Sequence, residues 1–338
     1  MIKLKLFLRL NRQSTRKWCI LILLTLSVYA LFVRNFIRPP AIVVTTVNEE
    51  LNTPAPDRRF LINLIDFDYT INLKSCKELG IKPQFIILIH SAPMKRMNRD
   101  NIRQTWGGWK VDHRVIFLLG AVSDENLQKQ LEIENAVFED MVQGNFVDSY
   151  KNLSYKHIMA MKWATEFCPE TQFVFKSDDD IFVNPPFIRK FSHRISNFKN
   201  FMMCPLAWYA DAIREKTSKW YVSRDEYPND QYPVYCSGCG VLLSIDTAQK
   251  LHKAAERTPF LWVDDVYVLG LVRMTAGLRI TPVESLLLES IPADEIFAGK
   301  RNITRALDTM FSYELTNVQI RTIWEVVKDY TDRGYYDL

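Results

Sequence analysis

Phe173-Val-Phe-Lys-Ser177 runs directly into Asp178-Asp179-Asp180, followed by Ile181-Phe182-Val183-Asn184-Pro185. The short apolar stretch has the composition of a buried strand, and the carboxylates fall at its carboxyl end. Three adjacent carboxylates repel one another, and a divalent cation would neutralise them. Alternate residues on a strand face the same side, so Asp178 and Asp180 are the natural pair to share it. A donor set made only of oxygens suits Mg²⁺ or Mn²⁺ bound together with a ligand's phosphates. A solvated acidic turn closing the strand is the other reading of the same residues.

Working outward, Phe85–His90 and Val115–Leu119 are further apolar runs that fit buried parallel strands. Residues 97–105 read as a helix. Ser123 is placed to cap a charged helix over 124–135, and 137–139 reads as a third strand. Leu153–Phe167 has helical apolar spacing through Leu153, Ile158, Met161 and Ala164. Strands alternating with helices predict an α/β sandwich with a mainly parallel sheet, whose ligands lie at the carboxyl ends of the strands. The acidic triplet sits at such an end.

The chain has 338 residues, 48% hydrophobic and 24% charged, which excludes collagen-like, low-complexity and wholly disordered classes. No repeat with a period of about 20–50 residues is visible, which argues against a solenoid or propeller. The net charge of +4 is unevenly placed. Eight basic residues and no acidic one fall within 1–38, so the remainder carries 35 basic against 39 acidic groups. A slightly acidic body lacks the electrostatic footprint of a nucleic-acid binder.

Residues 18–33 are all apolar or small and, as a helix, span about 24 Å. Extended to residue 37, with Arg34 snorkelling, the stretch predicts a membrane span over 18–37. Six cations precede it, which predicts a cytoplasmic tail over 1–17 and a lumenal body. A cleaved signal peptide is the competing reading. Pro39, Pro40, Pro54 and Pro56 predict a stem over 38–75, with the folded domain at 76–338. The sequons at Asn152 and Asn302 agree with lumenal exposure. With Cys19 in the span, Cys76, Cys168, Cys204, Cys236 and Cys239 remain, so at least one thiol is unpaired within the chain. Cys236 and Cys239 lack the second ligand pair of a zinc site, which favours structural disulfides.

Five stretches, in order, resemble the β-1,3-galactosyltransferase family, Golgi type II enzymes that use nucleotide sugars. They are Arg99-Asp-Asn-Ile102-Arg103-Gln-Thr-Trp106, Asp148-Ser-Tyr150-Lys-Asn152-Leu-Ser-Tyr-Lys156, the acidic strand end itself, Tyr232-Pro-Val-Tyr235-Cys-Ser-Gly238-Cys-Gly240, and Asp264-Asp265-Val266-Tyr267 followed by Gly270. The resemblance covers about residues 76–290. It implies a GT-A-type nucleotide-sugar-binding α/β/α sandwich and transfer of galactose from UDP-galactose to a glycoprotein, glycolipid or proteoglycan acceptor. N-acetylhexosamine transfer is the alternative, as is a catalytically weak glycan-binding homologue. By this resemblance Asp180 is the direct Mn²⁺ ligand, with Asp178 on the metal, its water or the ribose, and Asp179 in the donor site. Asp265 is the general base and Asp264 its support. Arg99, Arg103, Trp106 and Lys156 belong to the substrate site by the same resemblance, with the arginines at its nucleotide end; packing or surface ion pairing is the other reading of the two arginines. Gly238 and Gly240 would let the backbone approach the sugar or acceptor closely, with Tyr235 and Trp208 as stacking faces; a turn into a strand over Val241–Ser244 is the equal alternative for this stretch.

Two departures stand out: Val241 replaces the family's usual Tyr, and Tyr313 occupies the place of its usual His, eleven residues before Trp324. A phenol is a poorer Mn²⁺ ligand than imidazole, so water or another carboxylate is expected there, or weaker metal binding. A phosphatase with an Asp nucleophile would need a Gly soon after the triplet, where Asp180-Ile-Phe has none. Donor sugar, acceptor, disulfide connectivity and oligomeric state are not legible in the sequence.

Overall fold

A computed structural model describes residues 60–109, 111–281, 297–298 and 303–337. The expected tail, membrane span, most of the stem and the sequon at Asn302 lie outside these residues. Among the described residues no helix is long and apolar enough to cross a membrane.

In chain order the strands are β1 (Tyr69–Ile71), β2 (Phe85–His90), β3 (His113–Ala121), β4 (Met141–Val147), β5 (Phe173–Asp178), β6 (Phe182–Val183), β7 (Met202–Met203), β8 (Leu206–Ala207), β9 (Tyr235–Cys236), β10 (Gly240–Ser244) and β11 (Phe311–Ser312). Seven form one sheet in the order β1-β4-β3-β2-β5-β10-β7. The inner four strands, β4, β3, β2 and β5, are parallel, while β1, β10 and β7 join antiparallel. The sheet is therefore mixed around a parallel centre. Its principal helices are α1 (Arg96–Gln104), α2 (Glu125–Phe138), α3 (Leu153–Phe167), α4 (Pro185–Arg194), α5 (Ile245–Ala255) and α6 (Asn317–Asp332).

Strand β2 reads Phe-Ile-Ile-Leu-Ile-His because both of its faces are covered. Ile86 and Leu88 join a core with Ile158 and Met161 of α3 and Leu251 of α5. Phe85, Ile87 and Ile89 join a second core with Ile102 of α1, Leu131 of α2, and Ile320 and Ile323 of α6. Alternation along the strand thus feeds two helical layers, the sandwich that the alternating elements predict.

The expected strand at 137–139 is instead the end of α2, and the strand follows at Met141–Val147. The helix starts one residue later than predicted because Asp124, not Ser123, caps it, accepting from the backbone N–H groups of Asn126 and Leu127. Glu139, at φ 49°, ends it in the left-handed region. The interior Gln143 disguises β4 in the sequence, yet this residue is fully buried, donating to the Gly120 carbonyl and exchanging hydrogen bonds with Gln128.

The fold also begins earlier than the expected boundary at 76. Leu61 and Phe67 are buried in the first core, and β1 pairs with β4 at the sheet edge. Disulfides join Cys76 to Cys168 and Cys204 to Cys236, leaving Cys239 free. The Cys76–Cys168 bridge fastens the entry to β2 against the end of α3, and the backbone N–H of Cys76 donates to Phe167 nearby. Replacing both cysteines with serine is expected to lower the unfolding free energy by about 2–5 kcal/mol, measured by urea titration.

Candidate active site

The parallel register pairs His90, the last residue of β2, with Asp178, the last of β5. Two positions back on β5, buried Lys176 aims its ammonium at Asp178 Oδ1 (2.9 Å) and the Gly238 carbonyl (2.7 Å). The N–H of the same glycine donates to Asp265 Oδ2 at 2.9 Å. A Cβ on Gly238 would collide with the Asp265 carboxylate, so this close approach requires glycine. Asp264 and Asp265 open a helical turn, Asp264–Val266, that continues into a π-helical stretch, Tyr267–Val272. Buried Tyr267 anchors the turn by donating from its hydroxyl to the carbonyls of Ala255 and Thr258. From α3, His157 Nδ1 lies 3.2 Å from Asp264 Oδ2, and His90 Nδ1 lies 4.0 Å from the same oxygen and 3.9 Å from Asp178. Five segments distant in sequence thus converge at the carboxyl ends of β2 and β5.

Burial holds both histidines neutral, taking His157 down to about 3 and His90 well below its ordinary value, with the Lys176 charge acting in the same direction. A neutral His157 ring facing a carboxylate carries its proton on Nδ1 and donates it to Asp264. Burial opposes the Lys176 charge, but Asp178, Asp265 and Asp264 outweigh it and raise the ammonium above its ordinary range. Burial is also the first cause raising Asp265, to about 7, with Asp264 the second and Lys176 opposing both. Asp264 is raised as well, chiefly by burial. The cluster therefore offers a carboxyl that exchanges its proton near neutrality.

The acidic triplet divides by role. Asp179 is buried and accepts from Ser91 Oγ (2.7 Å) and Asn98 Nδ2 (3.0 Å), so it braces the loop after β2 and is not a free donor-site carboxylate. Asp180 is exposed, and its carboxyl is raised by surrounding protein and by the charges of Asp178 and Asp179. Asp180 and the Asp178 oxygen not held by Lys176 form an all-oxygen donor pair that fits a hard divalent cation. A second group with ligand atoms within 4.8 Å of one another comprises His157, Asp264 and Asp265. Each of these three has a hydrogen-bond partner, and Asp178 gives Oδ1 to Lys176, so a further cation is better received at exposed Asp180 with the remaining Asp178 oxygen. Ser312 pairs with Phe182, which brings half-buried Tyr313 alongside the chain just beyond Asp180.

Other expected site residues serve the framework. Arg99 is fully buried, with Nε and a terminal nitrogen on the Glu134 carboxylate at 2.7 and 2.8 Å and further bonds to Ser91, Ala92 and Pro93. Arg103 grips Asp140 with two 2.8 Å bonds and lies over the Phe138 ring. Both guanidinium groups are committed to carboxylates and fasten α1 to the α2 region. Trp106 is fully buried packing. Lys156 is buried between Asp148 Oδ2 and the Ser91 carbonyl, both at 2.7 Å. A Cβ on Gly240 would run into the Phe311 ring, so the glycine makes room for that packing. Tyr235 is half-buried, its phenol raised by burial and by Asp265, which puts it in electrostatic reach of the cluster. Asn152 donates to the Val147 carbonyl at the start of α3. His90, His157 and Lys176 escaped the sequence reading. The strand-end rule contained the signal for His90, because it closes the run Phe85–His90 beside the strand that ends in the triplet.

A family profile described as Galactosyltransferase matches residues 97–284, more than half of the chain. The chain belongs to the galactosyltransferase family. Beta-1,3-galactosyltransferase 1 of Mus musculus is 36% identical over 225 residues, covering 64% of this chain and 68% of that protein. Beta-1,3-galactosyltransferase 5 of the same species is 36% identical over 216 residues, covering 62% and 68%. Among solved structures, a glycosyltransferase involved in the glycosylation of the major capsid of PBCV-1 aligns with a TM-score of 0.39 at 12% identity, covering 72% of this chain and 100% of that one. This galactosyltransferase-family member is a glycosyltransferase enzyme, and its matched region includes every residue of the converging cluster except His90, which lies just before it.

Arg99→Ala, which removes one of the two guanidinium groups on buried Glu134 and leaves it Arg103 at 2.8 Å, is expected to cost about 1–3 kcal/mol of stability. Its folded fraction should bind UDP as tightly as the wild type, measured by calorimetry alongside thermal unfolding.

Proposed function

We propose that the chain is an inverting β-1,3-galactosyltransferase that moves galactose from UDP-galactose to a terminal sugar of a glycoprotein, glycolipid or proteoglycan. The observation that carries this reading is Asp265: a half-buried carboxyl at the strand ends, fixed by the Gly238 N–H and titrating near neutral pH. With Oδ2 held by that N–H, the other oxygen takes the acceptor hydroxyl proton. The hydroxyl oxygen attacks the anomeric carbon from the face opposite UDP, and the bond to the departing phosphate oxygen breaks with inversion. Asp264, held by His157, keeps the neighbouring carboxyl basic, and Lys176 fixes the Gly238 peptide. A divalent cation such as Mn²⁺ held by Asp180 and Asp178 would supply Lewis-acid stabilisation of the diphosphate charge. The reading includes a single-pass type II Golgi membrane protein with its body in the lumen, supported by the apolar run at 18–37 and the basic residues before it.

A second reading, a glycan-binding member with weak catalysis, is favoured by Tyr313 in place of an imidazole. Turnover of UDP-galactose, UDP-N-acetylglucosamine and UDP-N-acetylgalactosamine with Mn²⁺ decides between them: no consumption of any donor would rule out transfer.

Asp265→Asn should lower kcat by about 10²–10⁴-fold with UDP affinity retained. In the wild type, activity should fall as the pH drops through about 7, where Asp265 takes up its proton. Asp264→Asn removes a charge that raises Asp265, so the acid limb of its pH–rate profile should move to lower pH. A carboxyl raised in the folded state opposes folding once ionised, so Asp265→Asn should also raise the thermal midpoint at pH 8. That gain should vanish below about pH 4, where the unfolded carboxyl is protonated too.

A further inference from the structure

Between β8 and β9 the chain makes an excursion over 208–232 that is held as firmly as a structural element. The Arg214 guanidinium donates to the carbonyls of Val222 (2.7 Å), Tyr227 (2.8 Å) and Asn229 (2.6 Å). Backbone bonds from Ala212 to Asp230 and from Tyr232 to Ala210 close its base. This rigid excursion presents Trp220 with 48% of its surface exposed. The indole N–H donates to the Tyr150 hydroxyl at 2.8 Å, and the Lys219 ammonium lies 4.3 Å from the ring centroid. Tyr150 is also 48% exposed, and its ring lies 5.9 Å from that of Trp262, two residues before Asp264. Burial raises the Tyr150 phenol, as do Asp264, Asp265 and Asp178, so these carboxylates lie within electrostatic reach of it.

We propose that Trp220 and Tyr150 form the wall against which the pyranose ring of the acceptor lies, with its attacking hydroxyl toward Asp265. This rests on the transferase reading above. A pyranose has an apolar C–H face that packs on an aromatic ring and a rim of hydroxyls that needs polar partners. A fixed indole with a phenol and an ammonium beside it supplies both. The hydrogen bond between the two rings orients Trp220 before the sugar arrives, so little freedom is lost on binding.

The test uses the full-length chain with UDP and Mn²⁺ present, titrated with methyl β-D-galactopyranoside and methyl β-D-N-acetylglucosaminide by saturation-transfer NMR. Trp220→Ala should bind the preferred saccharide about tenfold more weakly with unchanged UDP affinity and thermal midpoint, and Trp220→Phe should recover most of the loss. Undiminished saccharide affinity in Trp220→Ala, or no binding of either saccharide to the wild type, would overturn the wall. Turnover on the same samples separates the two readings. Trp220-dependent saccharide binding with no donor consumed would uphold the wall and remove the transferase reading. Donor transfer with an acceptor KM indifferent to Trp220 would do the reverse.

Discussion

The site is organised around one buried cation. Lys176 sits on the sheet's central region with its ammonium facing Asp178 and the Gly238 carbonyl, in the field of Asp264 and Asp265. Each of those carboxylates would be costly to enclose alone, and so would the lysine. Together they are tolerable, but only if β5, the turn before β10 and the Asp264 turn are held at their observed spacing. The antiparallel register of β10 on β5, with Gly240 opposite Ser177, provides that spacing, as does the Ser177 hydroxyl on the Cys239 carbonyl. Such a network is weak evidence for stability, but it constrains how the chain can be arranged.

Much of the sheet was legible in the sequence, for a definite reason: β2, β3 and β5 are buried on both faces and so read as continuous apolar runs. β4 was not, because it satisfies Gln143 internally and carries Gly144 and Asn145, so its composition resembles a loop. The carboxylates of the site were legible as residue types. Their division was not. That Asp179 braces a loop while Asp180 faces solvent depends on the backbone rotating between neighbours, which spacing alone does not reveal. His157 looked like one more residue of an amphipathic helix, and only the packing of α3 against the Asp264 turn gives it a carboxylate partner.

Arg99, Lys156 and Asp179 show how a motif can carry chemistry at one remove. All three meet at Ser91: Arg99 and Asp179 at its hydroxyl, Lys156 at its carbonyl. Ser91 follows His90 directly, so the segment leaving β2 at the site is held by three charged groups reaching in from α1, α3 and the triplet. Such residues hold the neighbours of the cluster, and their loss would shift the strand end that presents His90.

The short β1 strand has a consequence for how the body can be separated from whatever precedes it. It lies antiparallel to β4 and pairs with that strand's outer edge at Gln143 and Gly144. Loss of β1 would leave β4 with an unpaired backbone edge at Gln143 and Gly144, the kind of edge that invites edge-to-edge pairing. Cleavage upstream of Leu61 would leave β1 and its pairing with β4 in place.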